Sequence, residues 1–286
     1  METVVYKTVD GLDIRADVYP GDGGAAAPVL VWIHGGALIM GNRRCLHPAL
    51  SALCSEAGYA HVSIDYRLAP ETKLPAILED VCDAFDWIRG PGAAQFGFDP
   101  ARVAVVGHSG GGYLALMSGV HARPRPRVIA SFYGYGNVDG PWYSEPDPYY
   151  CQSPAVSQDT AYEAVMGPPL SEDTGDKRRR FFYLYCRQNG FWPREVCGFD
   201  PEHDAGAFDP FCPVRNVTHD FPPTILLHGT KDTDVPYHLS ADMAAALLAA
   251  GVPGVTLEEA RGANPSAAAK AVARAAAFII EHNRGG

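Results

Sequence analysis

The feature that most limits what this chain can fold into is an apolar run that enters a serine-bearing turn and leaves as a helix. Arg102-Val103-Ala104-Val105-Val106 leads into Gly107-His108-Ser109-Gly110-Gly111, and an Ala/Leu-rich stretch follows. An unbroken apolar run reads as a strand covered on both faces. Glycines on either side of Ser109 leave room for a sharp turn that lifts the serine clear of the sheet. Such a turn belongs where a parallel strand meets its crossover helix.

The rest of the chain repeats the alternation. Thr3 to Val9 and Leu12 to Tyr19, separated by Asp10-Gly11, read as a hairpin. Strands are expected at Val29 to Ile33, Tyr59 to Ile64, Arg102 to Val106, Arg127 to Tyr133, Thr224 to Leu227 and Val255 to Glu259. Helices are expected at His47 to Ala57, Pro75 to Ile88, after Ser109, at Leu239 to Ala250 and at Ser266 to Asn283. The expected class is α/β: a mostly parallel eight-stranded sheet with helices on both faces. Between about Gly136 and Phe221 the periodicity fades and Pro, Gly, Tyr and Trp accumulate. This predicts a core of residues 1–135 and 222–286 with an inserted lid over residues 136–221, lying at the carboxyl edge of the strands where such sheets bind ligands.

A formal net charge of -10 gives no reason to expect nucleic acid or an anionic membrane as partner. The only basic run, Lys177-Arg178-Arg179-Arg180, reads as a solvated helix start. The 7 cysteines show no C-x-x-C pair, so neither a metal nor a disulfide framework is expected, and no cofactor is implied. No signal peptide or membrane span is visible, which predicts a cytoplasmic protein with reduced thiols.

Two segments carry chemistry on their own terms. A serine hydroxyl at the mouth of a strand-to-helix turn can act as a nucleophile once a base takes its proton. The N–H groups of Gly35, Gly36 and Ala37, directly after the strand ending at Ile33, can face a carbonyl oxygen as it becomes an oxyanion, and Gly110 adds a further donor. His34 reads as a spacer or hydrogen-bond anchor.

The chain resembles the α/β-hydrolase superfamily, and within it the esterase/lipase group that includes hormone-sensitive-lipase-like carboxylesterases. The likeness is carried by His34-Gly35-Gly36, by Ser63 to Glu71 with Pro75 and Ala76, by Gly107 to Gly112, and by His228-Gly229-Thr230-Lys231-Asp232-Thr233-Asp234-Val235-Pro236. It implies Ser109 as nucleophile and Asp232 as the acid that orients an imidazole. Asp234 reads as a turn or capping residue. The triad histidine of this fold belongs in the loop after the last strand. That loop reads Ala260-Arg261-Gly262-Ala263-Asn264-Pro265-Ser266 and holds no histidine. Either Pro265 stands in its place or the residues that carried it are deleted. Among the others, His238, His203 and His219 are candidate substitutes, while His282 lies too far along the terminal helix.

The sequence therefore predicts a serine-esterase scaffold of weak or lapsed activity. It would act on a small apolar or aromatic ester-like substrate, with a homodimer left open. A non-hydrolytic ligand binder, or a lyase or cyclase on the same fold, is the alternative. A peptidase similar to the oligopeptidase group is a third reading, weakened by the lack of a propeller domain.

Overall fold

The computed structural model describes residues 1–21, 26–173, 175, 177–260 and 265–284. The strands are β1 (Glu2–Val9), β2 (Leu12–Tyr19), β3 (Ala27–Ile33), β4 (Ala60–Ile64), β5 (Phe98–His108), β6 (Val128–Phe132), β7 (Thr224–Gly229) and β8 (Val255–Ala260). They form one sheet in the order β1-β2-β4-β3-β5-β6-β7-β8. The β1–β2 hairpin and the β2–β4 pair are antiparallel, and every pairing from β4 to β8 is parallel. All seven residues of β3 are buried, as an unbroken apolar run in the middle of a covered sheet requires.

The helices are α1 (Pro48–Glu56), α2 (Leu74–Trp87), α3 (Ala93–Phe96), α4 (Gly110–His121), α5 (Pro141–Ser144), α6 (Gln158–Glu163), α7 (Arg179–Asn189), α8 (His238–Ala249) and α9 (Pro265–His282). One face of the sheet packs on α1 and α9 through Leu30, Trp32, Leu50, Val106, Ala275 and Ile279. The other face packs on α2, α4 and α8 through Val31, Val105, Leu78, Leu116 and Met243. Strand alternation thus sends Val105 and Val106 into different cores.

The segment between β6 and β7 holds α5, α6 and α7 and, among the described residues, no strand. Its buried Tyr143, Phe182, Trp192 and Phe208 join the same cluster as Leu38 and Tyr113 of the sheet layer. Among its described residues the insertion therefore shares the core of the sheet layer, anchored at the sheet's carboxyl edge. No helix among the described residues is long and apolar enough to cross a membrane.

Candidate active site

Ser109 sits at φ 52°, ψ -124°, between the last residue of β5 and the first of α4. An L-residue there costs on the order of 1–3 kcal/mol and persists only where its surroundings fix it. They do. Ser109 N donates to Phe132 O at 2.9 Å, and Tyr113 N donates to Ser109 O at 3.0 Å. A Cβ on Gly107 would lie 2.1 Å from Gly111 O, so the turn closes only around glycine. The unpaired N–H groups at the start of α4 lie next to the serine and favour negative charge.

The loop after β3 supplies the facing wall. Gly36 (φ 112°), Ala37 (φ 54°) and Leu38 (φ 63°) are three consecutive positive-φ residues. The tight turn is closed by Ile39 N and Met40 N, which donate to Gly36 O at 2.9 and 3.0 Å. Among the described residues no acceptor engages the N–H of Gly36 or Ala37. A Cβ placed on Gly110 would lie 3.2 Å from Ala37 N, which brings the start of α4 against this loop. Gly35 differs: its N–H donates to His108 Nε2 at 3.3 Å. His34 is fully buried, stacked on Tyr66 at 4.2 Å. Burial pushes its pKa down to about 4, so it stays neutral.

Asp232 lies in the loop after β7. Its Oδ1 accepts from Asp234 N at 2.8 Å and Val235 N at 3.0 Å, and its Oδ2 lies 3.5 Å from His228 Nε2. Burial raises its pKa, but the His228 contact and the two amides outweigh that and hold it below the usual carboxylate range. Asp234 is more than a turn residue. Its Oδ1 accepts from Tyr150 Oη at 2.8 Å, Tyr183 Oη at 2.5 Å and Arg187 Nη1 at 2.8 Å. The buried Arg187 also pairs with Asp147.

Tyr133 escaped the sequence reading. It directly follows β6, the strand between β5 and β7, so it stands on the edge between the serine turn and the Asp232 loop. Its backbone is held at φ 39°. Its ring lies 6.1 Å from that of His108 and 6.5 Å from that of His228. Although 37% exposed, it loses part of its hydration; that, then the charge of Asp232, raises its pKa, so the phenol keeps its proton. Its position after β6 was the available signal.

Ser109, Gly36, Ala37 and Met40 share a cavity of about 530 Å³ with Tyr149, Tyr150, Gln152, Ser153, Arg180, Tyr183 and Leu184 of the insertion and with Asp234. No histidine lines it among the described residues. His238 is exposed at the start of α8. His203 is exposed beside Asp200 at 3.5 Å. His219 lies near Gly251, at the far end of α8. His282 lies against Gly254, at the amino end of β8. His228 is buried, with Ser240 Oγ at 2.7 Å from Nδ1 and Val235 O at 2.9 Å from Nε2. His108 lines a separate cavity of about 300 Å³ with Trp32, Cys45, His47 and Tyr133. Residues 261–264, in the loop expected to carry the triad histidine, lie outside the described residues, and α9 begins at Pro265. Asp200, Glu202 and His203 are the one group of potential metal ligands among the described residues, and Glu202 and His203 are exposed.

A model of the alpha/beta hydrolase fold family matches residues 30–264. The non-reducing polyketide synthase mapC' of Penicillium brevicompactum is 30% identical over 302 aligned residues, covering 88% of this chain and 14% of that protein. The chain therefore spans about a seventh of that relative. A protein of unknown function from Staphylococcus aureus superposes with a TM-score of 0.80 at 23% identity, over 99% of this chain and 100% of the other. The carboxylesterase EstE1, cloned from a metagenomic library, superposes at 0.72 with 23% identity, over 99% and 90% of the two chains. At these identities the structural likeness concerns the fold.

Proposed function

The chain belongs to the α/β-hydrolase fold family, and on that premise we propose that it is a carboxylic-ester hydrolase of the serine type in which the base step is impaired. The observation that carries the reading is the shared wall of one cavity: Ser109 on its strained turn faces the loop whose Gly36 and Ala37 N–H groups no described residue engages. Ser109 Oγ would attack the acyl carbon, and Gly36, Ala37 and Gly110 N–H groups would hold the oxyanion. Gly35 is left out of that set because its N–H is engaged by His108. Asp232, kept ionised, would orient an imidazole that no described residue supplies to Ser109. Without it the serine proton has no efficient acceptor. Only about 10³–10⁴-fold acceleration over water is expected to remain, from donors and binding.

The substrate is proposed to be a small ester. Because the named relatives are polyketide synthases, a polyketide acyl ester falls within the class. A reducing, cytoplasmic setting is proposed on the cysteine spacing alone, which has no C-x-x-C pair. A non-hydrolytic binder is the second reading, favoured by the absence of a histidine from the cavity wall among the described residues.

Hydrolysis of p-nitrophenyl acetate by the wild type, Ser109→Ala and Pro265→His separates the two. A slow wild-type rate lost in Ser109→Ala and raised in Pro265→His supports the impaired hydrolase. Equal rates in all three sink it in favour of the binder.

A further inference from the structure

The basic run at the start of α7 divides its labour. Arg179 turns inward, where it is 4% exposed and donates to Ile39 O at 2.6 Å, Ala69 O at 2.6 Å and both oxygens of Glu71. Arg180 goes the other way. It lines the Ser109 cavity together with Tyr183 and Leu184. These residues and Arg187 follow the i, i+3, i+4, i+7 spacing of one helix face.

Two charged side chains contribute to the cavity wall among the described residues, Arg180 and Asp234. The carboxylate of Asp234 already receives Arg187, Tyr150 and Tyr183. Arg180 makes no ion pair with any described residue, and it is exposed where it lines the cavity. The neighbouring Tyr149, Gln152 and Ser153 add polar groups to the same wall. With a formal net charge of -10, the molecule as a whole repels anions, so an unmatched guanidinium inside a cleft is a local reversal of sign. A guanidinium suits a planar carboxylate or a phosphate, which it can meet with two parallel N–H bonds.

We propose that Arg180 is an anion anchor, and that the ester taken at Ser109 carries a carboxylate or phosphate group away from the reacting carbonyl. This rests on the reading of the cavity as the acyl site, and it adds an anionic group to the small apolar or aromatic ester-like substrate expected from the sequence. The shared chemistry is the anion; it can sit on the acyl part or on the leaving group.

Binding, not turnover, tests it, so a dead enzyme does not blur the answer. Titration calorimetry on Ser109→Ala compares monomethyl glutarate (anion on the acyl side), 2-acetoxyethyl phosphate (anion on the leaving group) and neutral dimethyl glutarate. The background Arg180 is then changed to Gln, Lys and Glu. The expected result is a preference for one or both anionic esters over the neutral one that falls roughly tenfold in Arg180→Gln, is kept in part by Arg180→Lys, and reverses in Arg180→Glu. Whichever anionic ester depends on residue 180 identifies the end of the substrate that bears the charge. No preference, or a preference untouched in all three variants while far-UV circular dichroism stays native, overturns the proposal. The p-nitrophenyl acetate assay fails or succeeds independently of this result.

Discussion

Arg187 Nη1 donates to Asp234 Oδ1 at 2.8 Å, from a side chain with no solvent exposure. That bond ties the insertion to the acid loop, because Asp234 N in turn donates to Asp232 Oδ1 at 2.8 Å. The guanidinium is also boxed by rings, with Tyr150 at 4.7 Å and Tyr143 at 5.1 Å from its carbon. Replacing Arg187 with Met would fill the box but leave Asp147 and Asp234 facing one another without their cation. Asp147 and Asp234 keep some contact with water, at 13% and 41% exposure, so losing their hydrogen bonds to the cation costs about 1–3 kcal/mol. Urea unfolding of Arg187→Met is expected to show a clear drop in midpoint. A midpoint equal to the wild type would mean that the charge is dispensable and that ring packing alone holds the insertion.

A second tie reaches the oxyanion loop. Trp192 is fully buried, and its Nε1 donates to Ala37 O at 3.1 Å. Trp192→Phe keeps most of the ring and loses the bond, so a loss of about 1 kcal/mol is expected. Trp192→Ala also opens a cavity and should lose about 3–5 kcal/mol. The two variants separate bonding from packing, and urea midpoints measure both. If Trp192→Phe costs as much as Trp192→Ala, the indole N–H, and not the ring, holds the loop.

These two ties explain what the sequence could and could not reveal. The hairpin, the parallel strands and the serine turn are local patterns: apolar runs, glycines, and caps within a few residues. The expected strand at Tyr59 to Ile64 appears as Ala60–Ile64, and the expected helix at Pro75 to Ile88 as Leu74–Trp87. Arg187 and Asp234 lie 47 residues apart, and Trp192 and Ala37 lie 155 apart. No periodicity encodes such pairs. For the same reason the basic run read as one solvated stretch, although Arg179 is buried against Glu71 and Arg180 lines the cavity. Asp234 read as a turn residue because its three donors come from the insertion.

Acid should weaken the fold between about pH 6.5 and pH 4. Burial pushes the pKa of His34 and His61 down to about 4, so both are neutral in the folded chain and more readily protonated once unfolded. Across that window the unfolded state binds more protons, and stability rises with pH. His108 acts in the same sense, its pKa lowered by burial and then by His47. Asp65 opposes: burial lifts it to about 6, so its folded form holds a proton that the unfolded chain has released. Three histidines against one carboxylate leave a net loss on acidification. His61→Gln can keep a partner for Ser55, 2.9 Å from His61 Nε2, and should flatten the slope of urea midpoint against pH. An unchanged slope would show that His61 is not one of the groups responsible.

The strain at Ser109 gives the last expectation. The residue sits at φ 52°, ψ -124°, a region that glycine enters far more easily than any L-residue. Ser109→Ala keeps a Cβ and therefore the strain. Ser109→Gly removes it, at the expense of a more flexible unfolded chain. The balance favours glycine, and Ser109→Gly is expected to be about 1 kcal/mol more stable than Ser109→Ala. Both variants lack the hydroxyl, so the comparison separates backbone strain from nucleophilicity. Two urea midpoints decide the matter: a gain confined to the glycine variant means the fold holds this backbone under tension to present the hydroxyl. Equal midpoints would mean the turn is relaxed, and that its geometry alone is no evidence for a catalytic serine.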